Sequence, residues 1–411
     1  MRNKIFFLFS LFLFAGCGNQ EPNHFKPNSS GHEHADHNKS VNTEQAGMPE
    51  INKGRTPSFV FDDAGKLWCV WAFGKHVYVS YSDDEGGSYS EPVKVNDEPQ
   101  EIATNGENRP KIVISPNGYI YVSYSISLEE KFTGLVKFSR SVDNGKTFSE
   151  PVTVNDDKET AGHSFESLGV NKDGIVYLFW LDSRLNRAAK KEGKNYNGSS
   201  VFYTYSDDGG QSFKPNKKIA DHTCQCCRIA LDFEPDGNPV IIFRDIYNEN
   251  VRDHSMVRFT GKDSFTKPER VTFENWKIDG CPHHGPSLYI DSEGRYHFTW
   301  YNMEGNSGKI YYAVTDDKGK IFKNRKVIPN ETASHPYITG INNKLYLVWK
   351  EYRDGKNLIS GLTSDNGGKD WTNKKNNLSV EGNLDHPFLI KKSNKILLAE
   401  KGDDKIFIVK M

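Results

Sequence analysis

The chain has 411 residues, with 53 Lys and Arg against 54 Asp and Glu, so its formal net charge is −1. This balance excludes a protein that binds nucleic acid through a general excess of positive charge, because no surplus of cations exists to displace phosphate counterions. The sequence contains a single long apolar run, which also excludes a polytopic membrane protein.

That apolar run stands at the start of the chain, where residues 5–15 read IFFLFSLFLFA after a basic beginning. A short apolar stretch followed by small residues is typical of a secretory signal, and it is too short to remain as a membrane span. Residues 13–17 (LFAGC) resemble a bacterial lipobox. We therefore expect residues 1–16 to be a lipoprotein signal peptide and Cys17 to carry lipid, with a plain secretory signal as the alternative. The exported protein would then be anchored to the cell envelope, on a periplasmic or surface face of the outer membrane.

Residues 17–48 contain very few apolar side chains and cannot offset the entropy of ordering themselves, so we predict a flexible tether. His32, His34 and His37 lie close together within it. Short histidine-rich tracts bind transition metals. The tether is therefore either a polar spacer or a segment that captures metal.

From residue 49 to residue 411 the sequence repeats a unit of short strands separated by tight turns. An aromatic and β-branched strand recurs, usually after a turn rich in Gly, Asp or Asn, which is hairpin chemistry. These strands lie at residues 67–72, 119–124, 175–181, 239–243, 296–301, 345–350 and 396–400. Strands and tight turns at this density predict an all-β domain of antiparallel sheets.

Five units carry a sharper pattern, Ser/Thr-x-Asp/Asn-x-Gly-x-x-aromatic, in the turn after the third strand. The five copies are residues 82–89, 141–148, 206–213, 315–322 and 364–371. We expect the hydroxyl and the carboxylate to hydrogen-bond the turn backbone, the glycine to adopt a positive φ, and the aromatic ring to fill the gap between sheets. The pattern resembles the Asp-box, or BNR repeat, of the sialidase superfamily of β-propellers.

The number of repeats predicts a single β-propeller of seven four-stranded antiparallel blades. The resemblance implies six blades as the alternative, because true sialidases have six. The last unit supplies only three strands, so we expect residues 49–53 to add the missing N-terminal strand and to close the ring without an open edge.

In such a propeller the segments that lead into the innermost strands, here called lead-in segments, should converge at one mouth of the central channel. They contribute Arg55, Arg109, Glu166, Cys224, Cys226, Cys227, Arg228, Cys281, His283, His284, His335 and His386. The loops after the second strands add Asp182, Arg244, Asp245 and Arg353. Charged groups that converge in this way are typical of binding and catalytic sites.

The resemblance to sialidases implies that three arginines bind a substrate carboxylate through charge-assisted hydrogen bonds. Arg55, in Arg-Thr-Pro, partly matches the family's Arg-Ile-Pro. The other candidates for this clamp are Arg109, Arg228, Arg244 and Arg353. The candidates for proton transfer are Glu166, Asp182 and Asp245. On this interpretation the protein is an exo-α-sialidase-type glycoside hydrolase, or a lectin for an acidic glycan.

The cysteines favour a different chemistry. Cys69 lies within an apolar strand and is expected to be a buried thiol. Three cysteines fall within four residues, and the equivalent segment of the next unit adds further soft and borderline ligands. The predicted copper or zinc ligands are Cys224, Cys226, Cys227, Cys281, His283, His284 and His335, with His386 on an equivalent segment. The alternative is a disulfide from Cys224 or Cys226 to Cys281, because an exported protein meets an oxidising compartment.

The sequence thus leaves two main functions open. The first is a metal-binding lipoprotein, or one whose thiols carry chemistry, with no enzyme activity required. The second is the glycan-active enzyme or lectin implied by the resemblance. A propeller that only binds other proteins is a third and less distinctive possibility, and the sequence does not fix the oligomeric state.

Overall fold

The computed structural model describes residues 50–305, 307–329 and 332–411. The predicted signal peptide, the tether with its histidines, and Cys17 lie outside these described residues. Seven antiparallel sheets follow one another along the described chain, each built from strands consecutive in sequence.

Blade 1 contains β1 (Arg55–Phe61), β2 (Leu67–Phe73), β3 (His76–Ser82) and β4 (Val93–Lys94). Blade 2 contains β5 (Lys111–Ile114), β6 (Ile120–Ser127), β7 (Gly134–Ser141) and β8 (Val152–Thr153). Blade 3 contains β9 (His163–Val170), β10 (Val176–Asp182), β11 (Ser199–Ser206) and β12 (Lys217–Thr223), with helix α1 (Arg184–Lys191) between β10 and β11. Blade 4 contains β13 (Ala230–Phe233), β14 (Pro239–Arg244), β15 (His254–Arg258) and β16 (Glu269–Arg270).

Blade 5 contains β17 (Ser287–Ile290), β18 (Tyr296–Glu304), β19 (Ser307–Thr315) and β20 (Lys323–Pro329). Blade 6 contains β21 (Ser334–Ile341), β22 (Lys344–Arg353), β23 (Lys356–Ser364) and β24 (Thr372–Val380). Blade 7 contains β25 (Phe388–Lys392), β26 (Lys395–Lys401) and β27 (Ile406–Lys410). Short 3-10 helices occupy Ile51–Lys53 and Asn248–Asn250. Within the described ranges, no helix has the length and apolar character needed to cross a bilayer.

The first strands of the seven sheets contact one another in a closed cycle, which runs β1, β5, β9, β13, β17, β21, β25 and back to β1. They are therefore the innermost strands, and their lead-in segments gather around one axis. This arrangement confirms the predicted seven-bladed propeller.

Seven apolar clusters fill the gaps between neighbouring blades, one cluster to each gap. Between blades 3 and 4, for example, Phe179, Tyr203, Phe243 and Phe259 are almost completely buried. Each such side chain contributes roughly 1.5–3 kcal/mol through burial of apolar surface. The aromatic strands of the sequence repeat thus supply the packing between blades.

The five Asp-box turns share one hydrogen-bond pattern. In blade 2, the Ser141 hydroxyl donates to Asp143 Oδ1 over 2.8 Å and accepts from the Gly145 N–H over 2.9 Å. Asp143 Oδ1 also accepts from the Thr147 N–H over 3.0 Å. The other four turns make the same contacts. In each, a serine or threonine hydroxyl bonds the Asp or Asn side chain and the glycine N–H, and that side chain accepts from a later backbone N–H. The aromatic residue of each turn packs against the cluster shared with the preceding blade in the ring.

The start of the described chain contacts the last blade, although not as the predicted strand. Ile51–Lys53 form a 3-10 helix, in which the Gly54 N–H donates to Ile51 O over 3.0 Å. Asn52 Oδ1 accepts a hydrogen bond of 3.1 Å from the Ile406 N–H. The sheet of blade 7 therefore has three strands among the described residues, and blade 7 joins blade 1 through the apolar cluster that contains Ile51.

Candidate functional site

The lead-in segments of several blades contact one another directly at the channel mouth. Arg228, from blade 4, donates to Pro286 O of blade 5 over 3.1 Å and to Pro336 O of blade 6 over 2.8 Å. Arg109, from blade 2, pairs with Asp385 of blade 7 over 2.9 Å. The site is therefore assembled from segments that are far apart in sequence.

Glu107 contacts the lead-in segments of blades 4, 5 and 7, and the sequence analysis did not single it out. It is 2% exposed. Its Oε1 lies 2.6 Å from Arg228 Nη1, and its Oε2 accepts from the backbone N–H groups of Arg228 and Gly285, both over 2.9 Å. Burial alone would raise the pKa of Glu107, but the Arg228 charge and hydrogen bonding from His386 and the Arg228 backbone hold it well below its usual range. In the sequence, the only indication that Glu107 belongs to the site is its position two residues before Arg109.

Three histidines from consecutive blades form a stack beside Glu107, here called the histidine stack. The centroids of His284 and His335 are 4.2 Å apart, and those of His335 and His386 are 3.5 Å apart. Tyr301 lies against the outer face of His284, at 4.0 Å. Burial lowers the pKa of His284 to about 3, and it also lowers those of His335 and His386. The stacked rings are therefore neutral near pH 7.

Cys224, Cys226 and Cys227 form a buried group of thiols, here called the thiol cluster. Cys224 Sγ lies 3.8 Å from Cys226 Sγ and 3.8 Å from Cys227 Sγ. A disulfide requires about 2.05 Å between its sulfurs. All the cysteines of the described chain, Cys69 and Cys281 among them, are free thiols.

Cations and neighbouring thiols favour the thiolate form of Cys224. Hydrogen bonds from Cys226 and Cys227 lower the pKa of Cys224, and the charges of Arg252 and Arg244 lower it further, against the effect of burial. Arg252 Nη1 lies 3.5 Å from Cys224 Sγ. Burial raises the pKa of Cys227, so the thiolate form is favoured at Cys224 and disfavoured at Cys227.

Cys281 is a partly exposed cysteine next to the thiol cluster. It is half-buried and packs against the apolar cluster that contains the three buried thiols. A hydrogen bond with Cys226 lowers the pKa of Cys281, more than burial raises it. Cys281 therefore combines some exposure with thiolate character.

The structure divides the predicted Cys and His ligands into two groups. His284 belongs to the histidine stack, and its Nδ1 is held by Pro282 O. The carbonyl oxygen of His283 lies 3.1 Å from His335 Nε2. Among the described residues, two sets place their ligand atoms within 4.8 Å of one another, Cys224 with Cys226 and Cys227, and Glu107 with His335 and His386.

The buried arginines at the mouth use their guanidinium groups in contacts within the protein. Arg109 donates to Pro57 O over 3.1 Å as well as pairing with Asp385. Arg244 donates to Arg252 O over 2.7 Å, to Tyr301 O over 2.8 Å and to His284 O over 3.1 Å. These arginines, like Arg228, hold segments of different strands and blades together.

The other two arginines proposed for substrate binding are exposed. Arg55 Nη2 donates to Gly74 O over 3.0 Å. Arg353 Nη2 lies 3.6 Å from a carboxylate oxygen of Glu351. The five arginines thus differ in exposure and do not form one uniform clamp.

Glu166 and Asp182, both in blade 3, are buried in hydrogen-bonded networks. Glu166 accepts a 2.5 Å hydrogen bond from Ser125 Oγ. Asp182 accepts from Arg184 Nε over 2.9 Å and lies 3.5 Å from His163 Nε2. Each carboxylate therefore has its own set of partners.

Asp245, in blade 4, has a different environment. Burial raises its pKa from the ordinary value of 3.8 to about 6, although hydrogen bonds from Ser255 Oγ and the Ile246 N–H oppose the shift. Asp245 therefore combines burial with a raised pKa.

The fold is shared with proteins of known structure, among them a polysaccharide lyase and a sialidase. An ulvan lyase bound to an oligosaccharide superposes with a TM-score of 0.58 at 13% identity, covering 87% of this chain and 94% of its own. The Hadza microbial sialidase Hz136 gives 0.51 at 14% identity, covering 84% and 77%. A catalytically inactive virginiamycin B lyase variant from Staphylococcus aureus, solved with quinupristin, gives 0.51 at 15% identity, covering 88% and 97%. No family model and no curated protein matches the chain. At these identities the likeness establishes the propeller fold.

Proposed function

We propose that this protein is an exported, lipid-anchored propeller that binds a soft transition metal ion, Cu(I) or Zn²⁺, through the thiol cluster. The observation that carries the proposal is the spacing of Cys224 Sγ from the sulfurs of Cys226 and Cys227, 3.8 Å in both cases. Two thiolates bound to one zinc ion at tetrahedral angles, each about 2.3 Å from it, are about 3.8 Å apart. Cys224 Sγ is therefore already at a metal-ligand spacing from both of the other sulfurs.

The surroundings of the cluster support the same conclusion. Thiolates are the ligating form of cysteine, and burying several of them requires positive charge nearby. Arg252 supplies that charge at 3.5 Å from Cys224 Sγ. Cys281, hydrogen-bonded to Cys226 and half-buried, would be the first thiol that an arriving ion meets. Without metal, the same thiols would be available for thiol chemistry.

The location of the protein at the envelope belongs to this proposal. Lipid on Cys17 would hold the propeller at a membrane surface, and His32, His34 and His37 would bind metal loosely along the tether. Lipid labelling that persists in Cys17→Ser would contradict the anchoring part of the proposal.

Metal titration of matched cysteine variants tests the central proposal. Cu(I) affinity is measured by competition with a chromophoric chelator for the unmodified protein, for Cys226→Ser and for Cys69→Ala. We expect one tightly bound ion per chain, at least about ten-fold weaker binding in Cys226→Ser, and unchanged binding in Cys69→Ala. Equal affinity in all three proteins would exclude the thiol cluster as the site.

The shared fold favours a second candidate, a glycan-active enzyme or lectin. The neighbours that carry out such chemistry are propellers of similar extent. The engagement of Arg109, Arg228 and Arg244 with protein acceptors argues against a ready clamp for a sugar carboxylate. Turnover of a sialoside or of an acidic polysaccharide by the purified protein, lost in Asp245→Asn, would favour this candidate over the metal-binding one.

A further inference from the structure

The thiol cluster offers a metal ion three ligands. Among the described residues, the sulfurs of Cys224, Cys226 and Cys227 lie within 4.8 Å of one another, and Cys281 does not belong to this set. Two sulfurs bound to one ion at about 2.3 Å are at most about 4.6 Å apart, so Cys281 cannot bind the same ion with all three thiols in this arrangement. The three thiols are between 1% and 4% exposed, which leaves little access for water as a fourth ligand.

Two buried arginines without a carboxylate partner border the cluster. Arg244 is 1% exposed and Arg252 is 7% exposed. Arg228 pairs with a carboxylate, whereas no ion pair among the described residues includes Arg244 or Arg252. Arg244 donates to carbonyl oxygens, and Arg252 Nη1 lies 3.5 Å from Cys224 Sγ. The Nε atom of each arginine is buried without a hydrogen-bond partner.

The charge of these arginines distinguishes one metal ion from another. A buried positive charge without a carboxylate partner requires another anion to compensate it. Three thiolates carry a formal charge of −2 when they bind Cu(I) and −1 when they bind Zn²⁺. The two bound clusters therefore differ by one unit of charge, whatever the protonation of the thiols before metal binds. Because a nearby cation favours the more negative cluster, both arginines favour Cu(I) over Zn²⁺.

We propose that the thiol cluster is a three-coordinate site that selects Cu(I) over Zn²⁺, and that Arg252 is the specificity-determining residue. The inference rests on the proposed function, because it concerns the same three thiols. Zinc in structural sites almost always takes four ligands, whereas Cu(I) is stable with three thiolates and is selected by soft ligands. Asp245 acts against this preference, although Ser255 Oγ and the Ile246 N–H donate to its carboxylate.

The charge of Arg252 can be removed without breaking an ion pair to a carboxylate. The side-chain hydrogen bond that it makes within the described part of the chain is the one to Cys224 Sγ. Replacing a buried charge by an apolar side chain of similar volume is often neutral or stabilising. We therefore expect Arg252→Met to fold, with the near-ultraviolet circular dichroism spectrum of the unmodified protein.

Competition with chromophoric chelators under oxygen-free, reducing conditions gives the Cu(I) and Zn²⁺ affinities of each protein. All proteins carry His32→Gln, His34→Gln and His37→Gln, so that histidines of the tether do not contribute. The test variant is Arg252→Met, and Arg252→Lys retains the charge. The matched control is Arg187→Met, which removes a partly exposed arginine of helix α1.

The ratio of the Cu(I) affinity to the Zn²⁺ affinity is the quantity that tests the inference. We expect Arg252→Met to lower this ratio by at least about ten-fold, Arg252→Lys to lower it less, and Arg187→Met to leave it unchanged. A change that only loosened the structure would weaken both ions alike, so the ratio separates selectivity from folding.

X-ray absorption at the copper edge should show three sulfur neighbours. An unchanged ratio in Arg252→Met, or a copper ion with two or four sulfur neighbours, would overturn this inference while the proposed function stands. Unmodified protein that binds neither ion would overturn the proposed function, and this inference with it.

Discussion

Glu107 Oε1 lies 2.6 Å from Arg228 Nη1, although the two residues belong to blades 2 and 4 and blade 3 stands between them. Their ion pair therefore spans the channel mouth. Arg228 directly follows Cys227 in the sequence, and the pair fixes the segment that carries the thiol cluster. Glu107 Oε1 also lies 3.4 Å from His386 Nδ1, so one carboxylate connects the segment of the thiol cluster with the histidine stack.

Glu107→Gln should destabilise the propeller. The substitution leaves the Arg228 guanidinium beside a neutral group in a buried position, and breaking a buried pair costs about 3–5 kcal/mol. Chemical denaturation in the presence of a chelator measures the change in the free energy of unfolding. Glu249→Gln, at an exposed pair with Lys277, is the matched control and should unfold as the unmodified protein does. A Glu107→Gln protein that is as stable as this control would show that the ion pair does not hold the mouth together.

Alanine substitution at two glycines tests how closely an Asp-box turn packs against the neighbouring blade. Gly145 and Gly174 both have a positive φ, 74° and 78°. A Cβ at Gly145 would lie 2.5 Å from a ring carbon of Trp68, whereas a Cβ at Gly174 would have no neighbour within 4 Å. Both alanine variants should lose about 1–2 kcal/mol through backbone strain, and Gly145→Ala should lose about 1–3 kcal/mol more through overpacking. Equal melting temperatures for the two variants would contradict close packing of this turn between blades 1 and 2.

Asp232 should make the free energy of unfolding depend on pH in the mildly acidic range. Burial raises its pKa from 3.8 to about 6, although the N–H groups of Ile290 and Phe233 donate to it. Between pH ~4 and pH ~6 the folded chain therefore holds a proton that the unfolded chain has lost, so this group's contribution to stability falls as the pH rises. Asp232→Asn should remove that part of the slope, which amounts to about 1–3 kcal/mol over the interval. Parallel stability profiles for the two proteins would contradict the raised pKa.

The order of thiol alkylation follows from exposure and thiolate character. Cys281 is half-buried and its pKa is lowered by its hydrogen bond with Cys226, whereas Cys69 is buried and burial raises its pKa well above the ordinary value. In metal-free protein, iodoacetamide should modify Cys281 first, and it should modify Cys69 only after unfolding. Peptide mass spectrometry over time gives the order, and modification of Cys69 at the rate of Cys281 would contradict it.

The fold could be predicted because its determinants are local and repeated. Each Asp-box uses a hydroxyl, an acidic or amide side chain and a glycine within five residues, so the sequence shows the whole hydrogen-bond pattern. The aromatic strands show the packing between blades in the same way. The start of the domain was less predictable, because the backbone of Ile51–Lys53 closes hydrogen bonds locally and forms a 3-10 helix where a strand was expected.

The site was only partly predictable because its contacts join distant segments. Cys224, Cys226 and Cys227 are close in sequence, so their grouping could be predicted. His335 and His386 lie apart from these thiols and close to Glu107. This arrangement depends on how the seven lead-in segments pack together when the ring closes. A single acidic residue in a loop carries no local signal of that meeting.

The most direct test of the central claim is the metal content of the purified protein, measured together with its count of reactive thiols. The account predicts one Cu(I) or Zn²⁺ ion per chain held by the thiol cluster, and slower alkylation of Cys281, the half-buried thiol beside that cluster, with the ion bound than after a chelator removes it. Thiols that react equally with and without added Cu(I) or Zn²⁺, in protein that binds neither ion, would contradict it.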